Sequence, residues 1–170
     1  VEVPMGATLK DIVDTVGVPA DKIKALQVGG AAGGFIPGNL LETKTDFQSL
    51  HEAGAGMGSS SITLYDESTC MVDELRQWTE YLAEESCGKC TPCREGHFAL
   101  KNIIDRICDG KAKDGDLELL EEVAGHITDM SLCNFGVNAP KSLLSVLRYF
   151  KNELTDHING KECTPATKEA

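Results

Sequence analysis

The hydrophobic positions of the first 66 residues are spaced partly as in strands and partly as in short helices. Strand-like spacing occurs at residues 1–3, 23–28 and 61–65, and helix-like spacing occurs at residues 9–16 and 47–50. Thr8 stands just before the first helical segment, where its hydroxyl can cap exposed N–H groups. Glycine-rich segments separate these elements. The pattern predicts a small α+β unit over residues 1–66.

From residue 68 onward the spacing is helical and predicts four amphipathic helices. The first helix carries Met71, Leu75, Trp78 and Leu82 on one face. The second covers about residues 95–109, with Phe98, Ile103, Ile104 and Ile107 inward, and the third covers about residues 116–128. The fourth opens with Asn138 as cap and Pro140 in its first turn, and it continues to Phe150. Short connections between them predict a four-helix bundle over residues 67–157. Residues 158–170, which include Cys163, are expected to form a tail or linker.

Composition and charge exclude two classes of function. The chain is 41% hydrophobic and 25% charged, which is ordinary for a soluble globular protein, and no apolar run reaches the length of a membrane span. Its formal net charge is −11, and both parts of the chain are acidic. A nucleic-acid partner is therefore not expected. The chain opens inside a strand-like segment, so we expect it to be a fragment of a longer parent.

The cysteines indicate a metal centre in a reducing compartment. There are seven, an odd number, and three of them lie within seven residues. No secretion signal precedes them, so a disulfide framework is not expected. The crowded three, Cys87, Cys90 and Cys93, form a C-x2-C-x2-C run between the first two predicted bundle helices. Three thiolates at this spacing can each reach a different iron of a [4Fe–4S] cubane, which then needs a fourth thiolate.

Cys133 is the best candidate for the fourth ligand. It lies between the third and fourth predicted helices, and in an up-down bundle that loop is at the same end as the C-x2-C-x2-C run. Cys108 lies at the last turn of the second helix, about 20 Å from Cys93 at 1.5 Å per residue. It is expected to be a small buried side chain. Cys70 starts the first helix and is equally remote.

Two other interpretations of the cysteines compete with this one. A structural zinc site usually pairs its ligands as two C-x2-C units or uses histidines, so the three-plus-one pattern favours iron–sulfur, with a zinc-stabilised interaction module as the alternative. A thioredoxin-type C-x-x-C belongs in a βαβ context, which is absent. Lys89 and Arg94 flank the run and either offset cluster charge or are ordinary exposed cations. His97 and His126 could serve as cluster ligands or proton carriers, but both fall within predicted helices, where a packed or surface histidine is the default.

Two cysteine segments resemble those of a known family. ESCGKCTPCREG at residues 85–96 and SLCNFG at residues 131–136 are similar to the NADH-binding flavoprotein subunit of respiratory complex I and its relatives in NAD(P)-linked hydrogenases and formate dehydrogenases. The resemblance extends over essentially the whole chain. Residues 1–66, with GGAAGG at 29–34 and GMGSS at 56–60, resemble the soluble-ligand-binding β-grasp (ubiquitin-like) domain that precedes the iron–sulfur bundle in that family.

The resemblance implies an electron-transfer module with a [4Fe–4S] cluster on Cys87, Cys90, Cys93 and Cys133. In the full-length parent, electrons from NADH would reach FMN in an upstream domain and then pass singly to this cluster. That domain is not matched here, so the fragment is not expected to turn over NADH alone. The implied partners are other subunits of the complex, including a [2Fe–2S] thioredoxin-like subunit. The implied location is cytoplasmic, either soluble or in the peripheral arm of a membrane complex.

Overall fold

The computed structural model describes residues 1–161 as an α+β structure, which confirms the predicted class. Its strands are β1 (Ile23–Val28), β2 (Gly34–Pro37) and β3 (Ile62–Asp66). Its α-helices are α1 (Leu9–Val16), α2 (Phe47–Glu52), α3 (Met71–Glu85), α4 (Thr91–Cys108), α5 (Asp116–Met130), α6 (Asn134–Asn138), α7 (Lys141–Tyr149) and α8 (Lys151–Ile158). No helix within residues 1–161 is both long and apolar enough to cross a membrane. Most of the predicted tail, including Cys163, lies outside the described residues.

The sheet is antiparallel, with β1 between β2 and β3. Leu26 in the centre of β1 is paired with Ile36 on one side and Leu64 on the other. The turn between β1 and β2 requires Gly33, because a Cβ there would come within 1.9 Å of the Val28 carbonyl oxygen. β2 was not predicted. The strand predicted at residues 1–3 is wrong, since those residues have no partner strand in the described part of the chain.

The two faces of the sheet belong to two different hydrophobic cores. One face, represented by Leu26 and Ile36, packs with α1 and α2 in a core made only of residues before 67. The opposite face carries Ala25, Phe35 and Tyr65, which join the core of the later helices. This division follows from the two-residue period of a strand. Helices α1 and α2 therefore cover one face of the sheet, and the helices after residue 67 cover the other.

Buried hydroxyl groups join α7 to the turn between β1 and β2. The Phe35 backbone N–H donates to Ser145 Oγ at 2.8 Å. Ser142 Oγ donates to the carbonyl oxygens of Ala31 at 2.7 Å and Gly33 at 3.2 Å. Ser142 and Ser145 are each 1% exposed, so these bonds are screened from water. They fix the position of α7 on the sheet.

Helix α4 begins at Thr91, four residues earlier than predicted. Pro92 lies in its first turn, where a missing N–H leaves no bond unmade and the fixed φ suits a helix. The earlier start places Cys93 inside the helix. The buried stripe of α4 consists of Cys93, His97, Leu100, Ile103, Ile104 and Ile107. The prediction that Phe98 faces inward is wrong, because its side chain is 61% exposed.

The predicted fourth helix corresponds to α7, and two short helices that were not predicted, α6 and α8, lie before and after it. Pro140 is the N-cap of α7, and Asn138 ends α6 instead of capping the next helix. Proline has no N–H to donate to the preceding turn, so a helix arriving from α6 is interrupted there. Phe150, with φ −124° and ψ 24°, separates α7 from α8. The interruption at Pro140 allows α6 to turn toward the start of α4.

Candidate metal centre

The first cysteine segment forms the connection from α3 to α4. Cys87 follows the end of α3, Cys90 is the N-cap of α4, and Cys93 lies in the first turn of that helix. Gly88 adopts a left-handed conformation (φ +73°), which lets the chain turn between the first two cysteines. Arg94 Nη1 donates to the Gly88 carbonyl oxygen at 2.6 Å and holds this turn against the helix.

The second cysteine segment lies directly against the first. Cys133 is the N-cap of the short helix α6, just after α5 ends. An ideal Cβ built on Gly136 would lie 3.3 Å from Cys93 Cβ, and one built on Gly96 would lie 2.4 Å from Ile127 Cγ1. Two glycines therefore allow α6 and the end of α5 to approach the first turns of α4. The structure brings both segments to the same end of the helices.

The chemistry of Cys90 reflects this contact. A hydrogen bond from the Leu132 backbone N–H, next to Cys133 in the chain, lowers the pKa of the Cys90 thiol. Cys90 also precedes the 18-residue helix α4, whose N-terminus carries partial positive charge. Both effects favour a thiolate at this position, and thiolate is the form that binds a metal.

Cys93 has the opposite shift. Burial raises the pKa of the Cys93 thiol, and a hydrogen bond between its Sγ and Ser86 Oγ, 3.3 Å apart, opposes that effect. Negative charge on Cys90, Cys133 and Cys87 raises it further. All three of the other thiols are thus close enough to act on Cys93 electrostatically. A cation among the four would relieve this repulsion and hold each sulfur as a thiolate.

The four thiols lie at different depths. Cys93 is 4% exposed, Cys90 is half-buried, and Cys87 and Cys133 are exposed. Within residues 1–161 no three His, Cys, Asp or Glu side chains are arranged to hold a single metal ion. A cubane differs from a zinc ion in that each of its thiolates binds a different iron.

The remaining described cysteines lie elsewhere. Cys108 is the last residue of α4, and burial raises the pKa of its thiol to about 11, so it remains protonated. Cys70 is the N-cap of α3, at the end of that helix farthest from Cys87, and its Sγ lies 3.3 Å from His157 Nε2. Neither is near the two cysteine segments.

Two polar side chains near the thiols have no role predicted from the sequence. His97 is 1% exposed, and its ring lies 6.0 Å from that of Phe135, two residues after Cys133. Ser131 Oγ would lie 2.4 Å from a Cβ on Gly136, the glycine that packs against Cys93. Neither His97 Nε2 nor Ser131 Oγ has a hydrogen-bond partner in the described structure. The four-residue interval between Cys93 and His97 could have indicated that His97 lies near the thiols, because it places both residues on one helix face.

Replacing Gly136 by Ala is expected to lower the free energy of unfolding by about 1–3 kcal/mol, the usual cost of forcing extra volume into a packed site. The new methyl group would meet Ser131 Cβ and Oγ at 2.4 Å, within the second cysteine segment, and Cys93 Cβ of the first segment at 3.3 Å. The second segment would therefore have to rearrange. Urea unfolding of the metal-free protein measures the effect.

The matched control is Gly125→Ala in α5. A Cβ at Gly125 meets nothing within 4 Å, so the substitution is expected to be neutral or to stabilise by up to about 1 kcal/mol through helix propensity. Equal stability of the two variants would show that Gly136 is not a packing requirement.

Comparison with known proteins defines the chain as an iron–sulfur electron-transfer region whose cofactor is a [4Fe–4S] cluster. The model of the NADH-ubiquinone oxidoreductase-F iron-sulfur binding region matches residues 73–157. The chain belongs to this family, which confirms the resemblance seen in its cysteine motifs. The zinc-stabilised alternative is not favoured.

Relatives match nearly the whole chain. It is 36% identical over 164 residues to the F-type NADH-quinone oxidoreductase subunit of Streptomyces coelicolor, covering 95% of this chain and 36% of the relative. It is 37% identical over 166 residues to NADP-reducing hydrogenase subunit HndC of Solidesulfovibrio fructosivorans, covering 96% and 34%. An NAD+-reducing [NiFe]-hydrogenase in its H2-reduced state superposes with a TM-score of 0.81 at 27% identity, covering 91% and 26%. The chain thus spans about a third of the length of these curated relatives.

Proposed function

We propose that Cys87, Cys90, Cys93 and Cys133 hold the [4Fe–4S] cluster, and that it relays single electrons within an NADH dehydrogenase or an NAD(P)-linked hydrogenase. The observation that carries the ligand assignment is the contact between the two cysteine segments, where Gly136 lies against Cys93 and the Leu132 N–H bonds Cys90. The two segments together carry four thiols, and a cubane has four irons to bind. The donor set therefore fits the cluster in number and in kind.

The surroundings of the thiols suit a negatively charged cluster. The N-terminus of α4 supplies partial positive charge beside Cys90. Lys89 and Arg94 are exposed at the same loop, although Arg94 also pairs with Glu95 at 2.8 Å. Bound, the cluster would accept one electron and pass it on. The protein would supply the four thiolates, the hydrogen bonds to sulfur and exclusion of water from the buried side at Cys93.

We further propose the domain organisation predicted from the sequence. Residues 1–66 would form a β-grasp (ubiquitin-like) domain of the soluble-ligand-binding type, supported by the mixed sheet-and-helix core that this segment forms by itself. Residues 67–157 would form an iron–sulfur four-helix bundle of α3, α4, α5 and α7, supported by the second core. Residues 158–170 would be a tail or linker.

In the parent protein, we propose that electrons enter from FMN, which is reduced by NADH in an upstream domain. Support comes from the names of the relatives, which are subunits of an NADH-quinone oxidoreductase and of an NADP-reducing hydrogenase. The partners would be other subunits of such a complex, including a [2Fe–2S] thioredoxin-like subunit. The assembly would be cytoplasmic, either soluble or a peripheral arm. The chain alone would carry the cluster without oxidising NADH.

Anaerobic reconstitution of the full chain with ferrous iron and sulfide tests the proposal. We expect about four irons and four sulfides per chain and a broad visible absorption band that bleaches on reduction with dithionite. Metal analysis of the protein as purified is the companion measurement. One tightly bound zinc and no visible band after reconstitution would contradict the proposal and support a zinc-stabilised interaction module.

A further inference from the structure

His97 is a buried polar side chain without a described function. It is 1% exposed, and Nε2 has no hydrogen-bond partner in the described part of the chain. Leaving a buried polar group without a hydrogen bond costs free energy, so such a group is uncommon unless something absent from the protein chain satisfies it. Within residues 1–161 the other buried side-chain N and O atoms without a partner are Ser131 Oγ and Gln27 Nε2. Two of the three are beside the cysteine segments.

The position of His97 is fixed by two neighbours. Cys93 precedes it by one helical turn, and both belong to the buried stripe of α4. Side chains in a helix lean toward its N-terminus, so the imidazole leans toward the turn that carries Cys93. On the other side, the Phe135 ring contacts the imidazole edge-on at 6.0 Å and 63°. Phe135 belongs to α6, the helix that starts after Cys133. His97 therefore lies between the two cysteine segments.

The imidazole is available as a hydrogen-bond donor. Burial lowers the pKa of His97 to about 4, so the ring is neutral near pH 7 and carries one N–H. Four cysteines already supply one ligand for each iron, which leaves no iron for His97. The sulfurs of a cluster and of its thiolates, in contrast, accept hydrogen bonds. Such bonds stabilise the extra negative charge of the reduced cluster and raise its reduction potential.

We propose that His97 donates a hydrogen bond from Nε2–H to a sulfur of the cluster or of one of its thiolates, and so raises the reduction potential. This inference rests on the proposed ligand assignment. His97 is a positioning and tuning residue; it takes no part in the ligation of iron. The ring would also connect the two cysteine segments, because it contacts Phe135 on one side and the cluster on the other.

The test compares reconstituted wild-type chain with His97→Leu and His97→Gln in redox titrations followed by EPR. Leu fills the site without a donor, whereas Gln keeps an N–H at the end of a side chain of similar reach. At the wild-type midpoint potential, we expect the ratio of reduced to oxidised cluster to fall about tenfold in His97→Leu, which is about 59 mV for one electron. His97→Gln is expected to restore part of the difference. His126→Leu, an exposed histidine on α5, is the control and should match wild type.

Pulsed EPR on protein labelled with 15N-histidine supplies a readout that packing alone does not change. We expect a 15N coupling to the reduced cluster in wild type and in His126→Leu, and its loss in His97→Leu. Normal potentials in both His97 variants, or no 15N coupling in wild type, would overturn the inference while leaving the proposed function intact. If His97→Leu does not hold a cluster, the 15N coupling in wild type and the reduction potential of His97→Gln decide whether the inference stands. Failure of the wild-type chain to bind a cluster would overturn the proposed function itself.

Discussion

Replacing Cys133 by Ala is expected to abolish the [4Fe–4S] cluster, with iron and sulfide falling from about four of each to less than about one per chain after reconstitution. Without the Cys133 thiolate, one iron would keep no protein ligand. It would also lie at the exposed side of the site, since Cys133 and Cys87 are exposed whereas Cys93 is buried. Iron and sulfide analysis, absorption and EPR of the reduced protein measure the loss.

Cys108→Ala is the matched control, because it removes a thiol from α4 without touching the cysteine segments. Cys108 lies about fifteen residues along α4 from Cys93, or about 22 Å at 1.5 Å per residue. Its raised pKa, near 11, also keeps it as the protonated thiol. We expect full cluster content in this variant. A Cys108 variant that loses the cluster beside a Cys133 variant that keeps it would show that the ligand assignment is wrong.

The long amphipathic helices and the location of both cysteine segments were predictable, because the hydrophobic period and the thiol spacing are local signals. Helix α5 begins at Asp116 as predicted, and the strand at residues 23–28 has its predicted bounds. The start of α4 was missed because Pro92 fits both a tight turn and the first turn of a helix. Phe98 was expected inside because it is apolar, but the buried face of α4 runs through Cys93, His97 and Leu100 instead.

Other features depend on contacts that a local pattern does not contain. Strand β2 is only four residues long and is bounded by glycine and proline, so its residues read as a turn. Its place in the sheet depends on pairing with β1, and its contact with α7 depends on Ser145, 110 residues away from Phe35. The buried histidine likewise acquires significance only when α6 places Phe135 beside it. In each case tertiary contact decides between interpretations that the sequence leaves equal.

Removal of iron is expected to loosen the cysteine end of the helices while leaving the sheet close to unchanged. Binding that occurs only in the folded state adds its free energy to stability, so loss of the cluster lowers the stability of the segments that hold it. In its absence, the contacts described at this end of the helices are few. Gly136 lies against Cys93, Gly96 against Ile127 and Phe135 against His97, and the Leu132 N–H bonds Cys90. Repulsion among the four thiols also works against closure whenever they ionise.

The sheet has support of its own. The face that carries Leu26 packs on α1 and α2 in a core that contains no cysteine. The face that carries Phe35 shares the core of the later helices with residues remote from the cluster, such as Ile107 and Leu154. The route by which loosening could spread is α7, because it follows α6 directly and is bonded to the sheet through Ser142 and Ser145. Hydrogen exchange of the Phe35 amide, which donates to Ser145 Oγ, therefore reports whether loosening spreads from the cysteine segments to the sheet.

Hydrogen exchange on reconstituted and iron-free protein, both kept reduced, is expected to show a fall in protection of about tenfold or more at residues 86–97 and 131–138. Residues 23–28 and the Phe35 amide are expected to change little. Cys133→Ala protein that has never held a cluster is the matched control, and it should reproduce the iron-free pattern. This outcome would support a domain boundary near residue 67. If the Phe35 amide and residues 23–28 lose protection together with the cysteine segments, the shared core and the α7 hydrogen bonds make the chain one cooperative unit, and the proposed boundary is wrong.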